Sequence, residues 1–296
     1  MKIFRLKYLS LLILLLPLGV LAQNGSKISL PAADTLKTGS KILRHSLYAG
    51  AGYGSNMIYL GSTISQNQPY GYGNITYGFK NQLYASVSAV HLSGTDPFLA
   101  FYIGALNYSR AINSWLDISA GLYRYQVPPS LSDTFFSNFT YGDLTLGFDW
   151  KLLYSKLSVG GLFSEENQAY FQFRNSRYFQ TPEFFKGKAN ISFDPYANLL
   201  FGKLIKVETS SETSVVTTFP GRKWRQAYPS HGSSTITSTS ERFGIMEVDF
   251  GLPVAFNTDF MTIEAELNYV LPLYNDPVYQ SPKGFIFMLS GFFRIF

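Results

Sequence analysis

Beyond about residue 45, apolar and polar residues alternate with a period of two along most of the chain. The clearest stretch is 261–271, where Met261, Ile263, Ala265, Leu267, Tyr269 and Leu271 alternate with Thr262, Glu264, Glu266, Asn268 and Val270. Successive side chains of a β-strand point to opposite faces, so one face here suits hydrocarbon and the other water. The same division sends Met246, Val248, Phe250 and Leu252 outward with Glu247 and Asp249 inward. It sends Leu144, Leu146, Phe148 and Trp150 outward, with Asp143, Thr145 and Asp149 inward. In 188–201, Ile191, Phe193, Ala197 and Leu199 face out, while Asn190, Ser192, Asp194, Tyr196 and Asn198 face in.

Strands are predicted near 46–54, 70–79, 82–93, 98–110, 114–126, 138–150, 154–164, 168–180, 188–205, 242–256, 260–272 and 284–296. The pattern predicts an all-β fold, a transmembrane antiparallel up-and-down β-barrel of about 12 strands, an even number that brings both ends to one side. The intervening segments sort by length. Connections near 55–69, 94–97, 127–137, 165–167, 206–241 and 273–283 alternate with ones near 80–81, 111–113, 151–153, 181–187 and 257–259, which are shorter on average. Long outer loops and short periplasmic turns are the asymmetry of outer-membrane barrels. Pro195 and Pro253 fall inside predicted strands, and since a closed barrel has no free edge, bulges are expected there.

The start of the chain changes the picture of location. Lys2, Arg5 and Lys7 precede an apolar run from about Leu9 to Leu21 and a small-residue boundary, Val20-Leu21-Ala22. This predicts a signal peptide over 1–22, cleaved after Ala22, followed by a polar periplasmic tail or partial plug over 23–45 and the barrel over 46–296. The formal charge of +5 includes the three basic residues of the signal. The remainder carries about +2, and no basic stripe suggests nucleic acid. With no cysteine in the chain there is neither a disulfide nor a lipid-attachment site. Charged residues make up 15% of the chain. Soluble domains usually carry roughly 25%, so the low value favours a wall with one face in lipid. The expected location is the outer membrane of a Gram-negative cell.

Two resemblances bear on this. The chain closes Gly-Phe-Phe-Arg-Ile-Phe, and a strand ending at Phe296 resembles the signal by which barrel-assembly machinery recognises outer-membrane proteins, although Arg294 stands where that pattern carries an apolar residue. The segments SNMIYLG (55–61), PYGYGNITYGF (69–79), LYASVSAVHLSG (83–94), SRYF (176–179), FDPYANLLFG (193–202) and FGIMEVDFGLPVAF (243–256) are similar to a group of uncharacterised outer-membrane β-barrel proteins. That resemblance covers roughly 46–296. It implies fold, location and outer-membrane lipid as surroundings, and no activity.

The inward positions supply the candidate chemistry. Asp143, Asp149, Asp194, Glu247, Asp249, Glu264 and Glu266 are candidates to line the lumen, against the two inward bases Lys156 and Arg174. A water-filled lumen of this balance concentrates cations, which predicts a pore for small solutes; hydrogen-bonded pairs that merely fill a narrow barrel are the competing reading. A second expectation is a surface scaffold acting through 206–241, where Arg222, Lys223, Trp224 and Arg225 form a basic and aromatic cluster in a Ser/Thr-rich loop. The third is a lipid-modifying hydrolase. His45, His91 and His231 show no triad spacing, and no metal-ligand, phosphate-loop or dinucleotide motif appears, so no enzyme, metal or cofactor is predicted. Phe79, Trp150 and Phe256 are expected as interfacial aromatics.

Overall fold

The computed structural model describes residues 44–131, 136–164, 167–209, 213–217, 236–274 and 282–296. The predicted signal peptide and all but the end of the tail lie outside the described residues, as do Arg222 to Arg225 and His231.

The fold is a closed antiparallel barrel of 12 strands. In chain order they are β1 (His45–Gly54), β2 (Tyr70–Phe79), β3 (Leu83–Leu92), β4 (Phe101–Ala111), β5 (Leu116–Gln126), β6 (Phe139–Asp149) and β7 (Tyr154–Phe163). β8 follows as Gln168–Ser176 continued by Phe179–Gln180, and β9 as Ala189–Phe193 continued by Tyr196–Thr209. β10 (Ile236–Thr258), β11 (Met261–Pro272) and β12 (Gly284–Arg294) complete the set. Each strand pairs with its sequence neighbours, and β1 pairs with β12, Tyr48 opposite Arg294 and Gly54 opposite Met288, so no strand of the wall is left with a free edge. The seam is tied at its base by Leu47 N–H to the Phe296 carbonyl and Ile295 N–H to the Leu47 carbonyl.

Burial follows the period-two pattern. Ile75, Val87, Leu122, Leu144, Val159 and Leu267 are exposed on the outer face, Val87 at 64%. Thr76, Ser88, Thr145, Ser158, Asn198 and Asn268 are buried on the inner one. An outer wall of exposed aliphatic side chains is stable where the surroundings are themselves apolar. At the end carrying both barrel termini, Trp115 stacks on Phe148 and Phe148 on Trp150, at ring separations of 6.3 and 6.0 Å. This forms an aromatic band beside the short turns.

Two local features differ from the sequence reading. Pro195 and Pro253 occupy an unshifted register, with Phe193 opposite Val254 and Tyr196 opposite Gly251, so neither forms a bulge. They sit almost facing one another. Asp194 N–H donates to the Pro253 carbonyl and Arg177 N–H to the Pro195 carbonyl, while the proline nitrogens have no hydrogen to return. The chain therefore concentrates the missing donors at one interruption. The bulge instead lies at Met246, because Leu200 pairs with Glu247 and Phe201 with Ile245. The extra residue turns Met246 into the barrel, 1% exposed, rather than outward as the alternation suggests.

Above that bulge β9 and β10 keep pairing, Phe201 with Ile245 through to Thr209 with Ile236. Thr213–Thr217 pairs with Leu204 to Glu208 on the other side of β9. The result is a three-stranded arm rising from the long-loop end. Lys203 is paired with Glu241 at 2.7 Å, and Lys206 beside Glu208 holds its carboxyl below the usual carboxylate range.

Candidate functional site: a plugged, acidic lumen

The connection between β1 and β2, expected as an outer loop, folds into the barrel. Ile58–Tyr59 and Ser62–Thr63 form a miniature hairpin whose turn residues Leu60 and Gly61 have φ of 48° and 78°. Two successive left-handed residues are the geometry of a tight two-residue turn. Asn56 anchors its base, accepting from Thr63 Oγ1 at 2.7 Å and Ser65 Oγ at 2.9 Å and donating to Asn67 Oδ1 at 2.7 Å. Met57, Ile58, Tyr59, Leu60 and Ile64 are buried. Each such burial contributes about 1.5–3 kcal/mol relative to exposure, which favours the inserted position.

Tyr59 is the centre of this plug. Its ring lies 5.0 Å from Tyr125, 5.8 Å from Phe139 and 5.7 Å, edge-on, from Tyr141. Around it Val90, Leu92, Phe101, Phe136, Leu162, Leu200, Leu204 and Met246 complete an apolar core across the long-loop half of the barrel. Burial, with the neighbouring Tyr125 and Tyr141 hydroxyls, pushes the Tyr59 hydroxyl well above the ordinary tyrosine range, so this centre is neutral. The plug is held from two further sides. The Tyr274 hydroxyl donates to the Gly61 carbonyl, and the Met246 methyl group packs against Gly61.

Beneath the plug the inner wall is polar. Glu247 and Asp249 on β10 and Glu266 on β11 are buried, at 1%, 0% and 8% exposure, and Glu264 is partly buried. Asp194 interrupts β9, and its carboxylate lies 3.8 Å from Arg174 on β8. The Arg174 guanidinium stands 3.8 Å over the Tyr196 ring, and the Tyr196 hydroxyl donates to Glu266. Tyr196 reaches that far because Gly251 lies under it, where a Cβ would overlap the ring. Asn198 donates to Asp249 at 3.3 Å. Arg174, Asp194, Glu247, Asp249, Glu264 and Glu266 thus belong to one sector of wall, β8 to β11. It contains five carboxylates and one guanidinium.

The remaining lumen candidates lie on β6 and β7, and of these Lys156 stands directly opposite Arg174 across the β7–β8 pair. Asp143 on β6 faces Gly121 and Gly160 across its two strand pairs. Asp149 ends β6 and accepts from the Lys151 N–H at 2.7 Å, closing a turn. Lys156 on β7 lies 5.1 Å from the Tyr154 ring, and Tyr154 donates to Asp117 at 2.6 Å. Of the histidines, His91 bonds the Phe98 carbonyl and His45 the Tyr77 hydroxyl. Among the described residues no group of three His, Cys, Asp or Glu side chains is placed to hold a metal ion.

The plug is the part that alternation alone misses. The signal for it is the apolar run Met57-Ile58-Tyr59-Leu60, out of place in a loop facing water.

No protein family is recognised in the chain, and no curated protein matches its sequence. Among solved structures it is similar to KdgM porin, at TM-score 0.45 and 9% identity, over 83% of this chain and 98% of that one. It is similar to NanC porin, at TM-score 0.44 and 11% identity, over 83% and 98%. LpxR from Salmonella typhimurium is similar at TM-score 0.44 and 7% identity, over 83% and 99%. These likenesses are distant, and it is the strand order and register given above that make the chain a 12-stranded antiparallel barrel.

Proposed function

We propose that this chain is an outer-membrane β-barrel acting as a gated, cation-preferring pore for small solutes, closed in its resting state by the loop between β1 and β2. The exposed aliphatic outer wall and the aromatic band at the short-turn end support a lipid-spanning orientation, with that end periplasmic. One observation carries the pore reading: the closure is made by an inserted loop rather than by the wall, and an excess of carboxylates lies directly beneath it. The loop is joined to the inner wall by side-chain packing and the Tyr274 hydrogen bond rather than by pairing with a wall strand, so it is able to leave without breaking a strand pair of the barrel. The uncovered lumen would then favour cations.

Conductance in planar bilayers tests this. The wild-type barrel should be silent or open rarely, and replacing residues 57–64 by a short Gly/Ser linker should give steady, cation-selective current. A silent or anion-selective deletion variant would refute the pore.

The arm favours a second reading, a surface scaffold that presents a binding element outside the membrane. Replacing residues 210–235 by a short turn should then abolish binding to the cell's surface partners while leaving the barrel heat-resistant. Unchanged binding would exclude this reading.

A further inference from the structure

We infer that the outer wall seats an anionic glycerophospholipid where β6, β7, β8 and β9 meet the short-turn rim, its phosphate held by Arg177 and Lys151 and its ester region by Asn175. This rests on the barrel spanning lipid with its short-turn end periplasmic, as proposed above, and not on the pore.

Lipid-facing positions of a barrel wall are apolar, so polar side chains of outward parity stand out. Ser155 and Asn175 are such residues, and they lie in one row across the wall. Phe148 stands opposite Ser155, Ser155 opposite Asn175, Asn175 opposite Ala197 and Ala197 opposite Phe250. The row thus has a ring at each end and short side chains between them, which makes a shallow notch. Above it Leu146 is opposite Leu157 and Leu157 opposite Phe173, an apolar surface along which acyl chains can lie. Below it, on the rim, Arg177 and Lys151 are both exposed.

Hydrogen bonds hold the notch in shape. The Trp150 indole N–H donates to Ser155 Oγ at 3.1 Å, and Ser155 Oγ donates to Asn175 Oδ1 at 2.5 Å. This fixes the Asn175 amide by its oxygen and leaves its N–H groups without a partner among the described residues. On a wall that faces lipid such a donor needs an acceptor, and at the depth of the interfacial aromatics lipid ester and phosphate oxygens supply it. Arg177 is placed under Asn175 by its own backbone N–H, which donates to the Pro195 carbonyl at 3.1 Å, and its guanidinium lies 5.0 Å from the Phe179 ring. Neither Arg177 nor Lys151 belongs to an ion pair among the described residues. Asp149, the acid of the β6–β7 turn, is half-buried and accepts the Lys151 N–H. Unpaired cations beside a free amide favour a net negative phosphate headgroup over a zwitterionic one. The rest of the rim attracts anionic lipid less specifically, with Lys80, Arg110, Lys186 and Lys188 exposed against Glu183 and Asp259.

The test is native mass spectrometry of the full-length barrel in neutral detergent, with phosphatidylglycerol or phosphatidylethanolamine of identical acyl chains added stepwise. Saturable binding of a first phosphatidylglycerol is expected, about fivefold or more tighter than that of phosphatidylethanolamine, and Arg177→Gln and Asn175→Leu should each weaken it about fivefold. Lys80→Gln/Arg110→Gln, which removes charge from the rim away from the notch, should leave this first lipid unchanged. Equal binding of the two lipids, or an equal loss in the Lys80→Gln/Arg110→Gln variant, would overturn the inference in favour of a diffusely charged rim. Competition by glycerol phosphate at the same concentration would overturn it in favour of a site for free phosphate. Folding of each variant is checked by heat-modifiable migration, and should Arg177→Gln fail to fold, Lys151→Gln must still weaken binding. Failure of the wild-type barrel to insert into vesicles of any composition would remove the lipid-spanning reading together with this site; insertion without preference for phosphatidylglycerol would remove the site alone.

Discussion

The hydroxyl of Tyr274 donates to the backbone carbonyl of Gly61, so a residue from the last long connection holds the tip of a hairpin inserted from the first. The bond joins segments 213 residues apart. It is buried, and Gly61 sits at the left-handed tip of the turn.

Tyr274→Phe removes this bond and leaves the Gly61 carbonyl without its donor. A net loss of about 1–3 kcal/mol is expected for the inserted state. In planar bilayers the open probability should rise roughly fivefold or more relative to wild type. Bilayer recordings at neutral pH check this, and an unchanged open probability would separate Tyr274 from the closure.

Alkaline pH should also release the plug. The ordinary tyrosine pKa is 10.0, and insertion raises that of Tyr59 well above it. Tyr59 ionises readily only when the loop is out, so the inserted state is favoured in full below about pH 10 and loses about 1.4 kcal/mol per pH unit above it. Conductance recorded from pH 8 to pH 11 should rise steeply over the last unit. Tyr59→Phe should flatten that rise.

Gly251→Ala tests the polar sector. A Cβ at this position overlaps the Tyr196 ring and forces it away from Glu266 and from beneath Arg174. Overpacking of this sort costs about 1–3 kcal/mol. The temperature of heat-modifiable migration should fall, whereas Gly104→Ala, which meets nothing within 4 Å, should leave it unchanged.

Leu267→Arg tests the membrane orientation. Leu267 is 50% exposed on the outer face of β11, between Ile263 and Leu271. A cation there, in the middle of the lipid-facing wall, should destabilise the barrel by about 2–4 kcal/mol, measured by reversible folding into lipid vesicles. A neutral effect would contradict a lipid-facing wall.

Much of this architecture is legible in residue order because a barrel wall obeys one local rule. Thr262, Glu264, Glu266 and Asn268 had to face one way and Ile263, Ala265 and Leu267 the other, whichever partners they found. The breaks in β8 and β9 were also absorbed without loss of register, so 168–180 and 188–205 each behave as one strand. The rest depends on contacts between distant segments. Met246 belongs to the outward series by parity, and only the unequal pairing across Leu200 and Phe201 turns it inward. Nothing local to Pro195 or Pro253 states that the two will face each other across β9 and β10. The plug is intermediate: Met57 to Leu60 are too apolar for an outer loop, but their destination among Tyr125, Phe139 and Tyr141 is set by the closed wall.

The bulge at Met246 has a mechanical consequence. It is the point where β10 leaves the wall to become the arm, and it is also the residue whose methyl group rests on Gly61. Bulges bend and twist the strand that carries them, so the direction of the arm and the seat of the hairpin tip are fixed by the same few backbone angles. A lever and its latch thus share one pivot: swinging the arm sideways displaces the side chain on which the closed lumen leans.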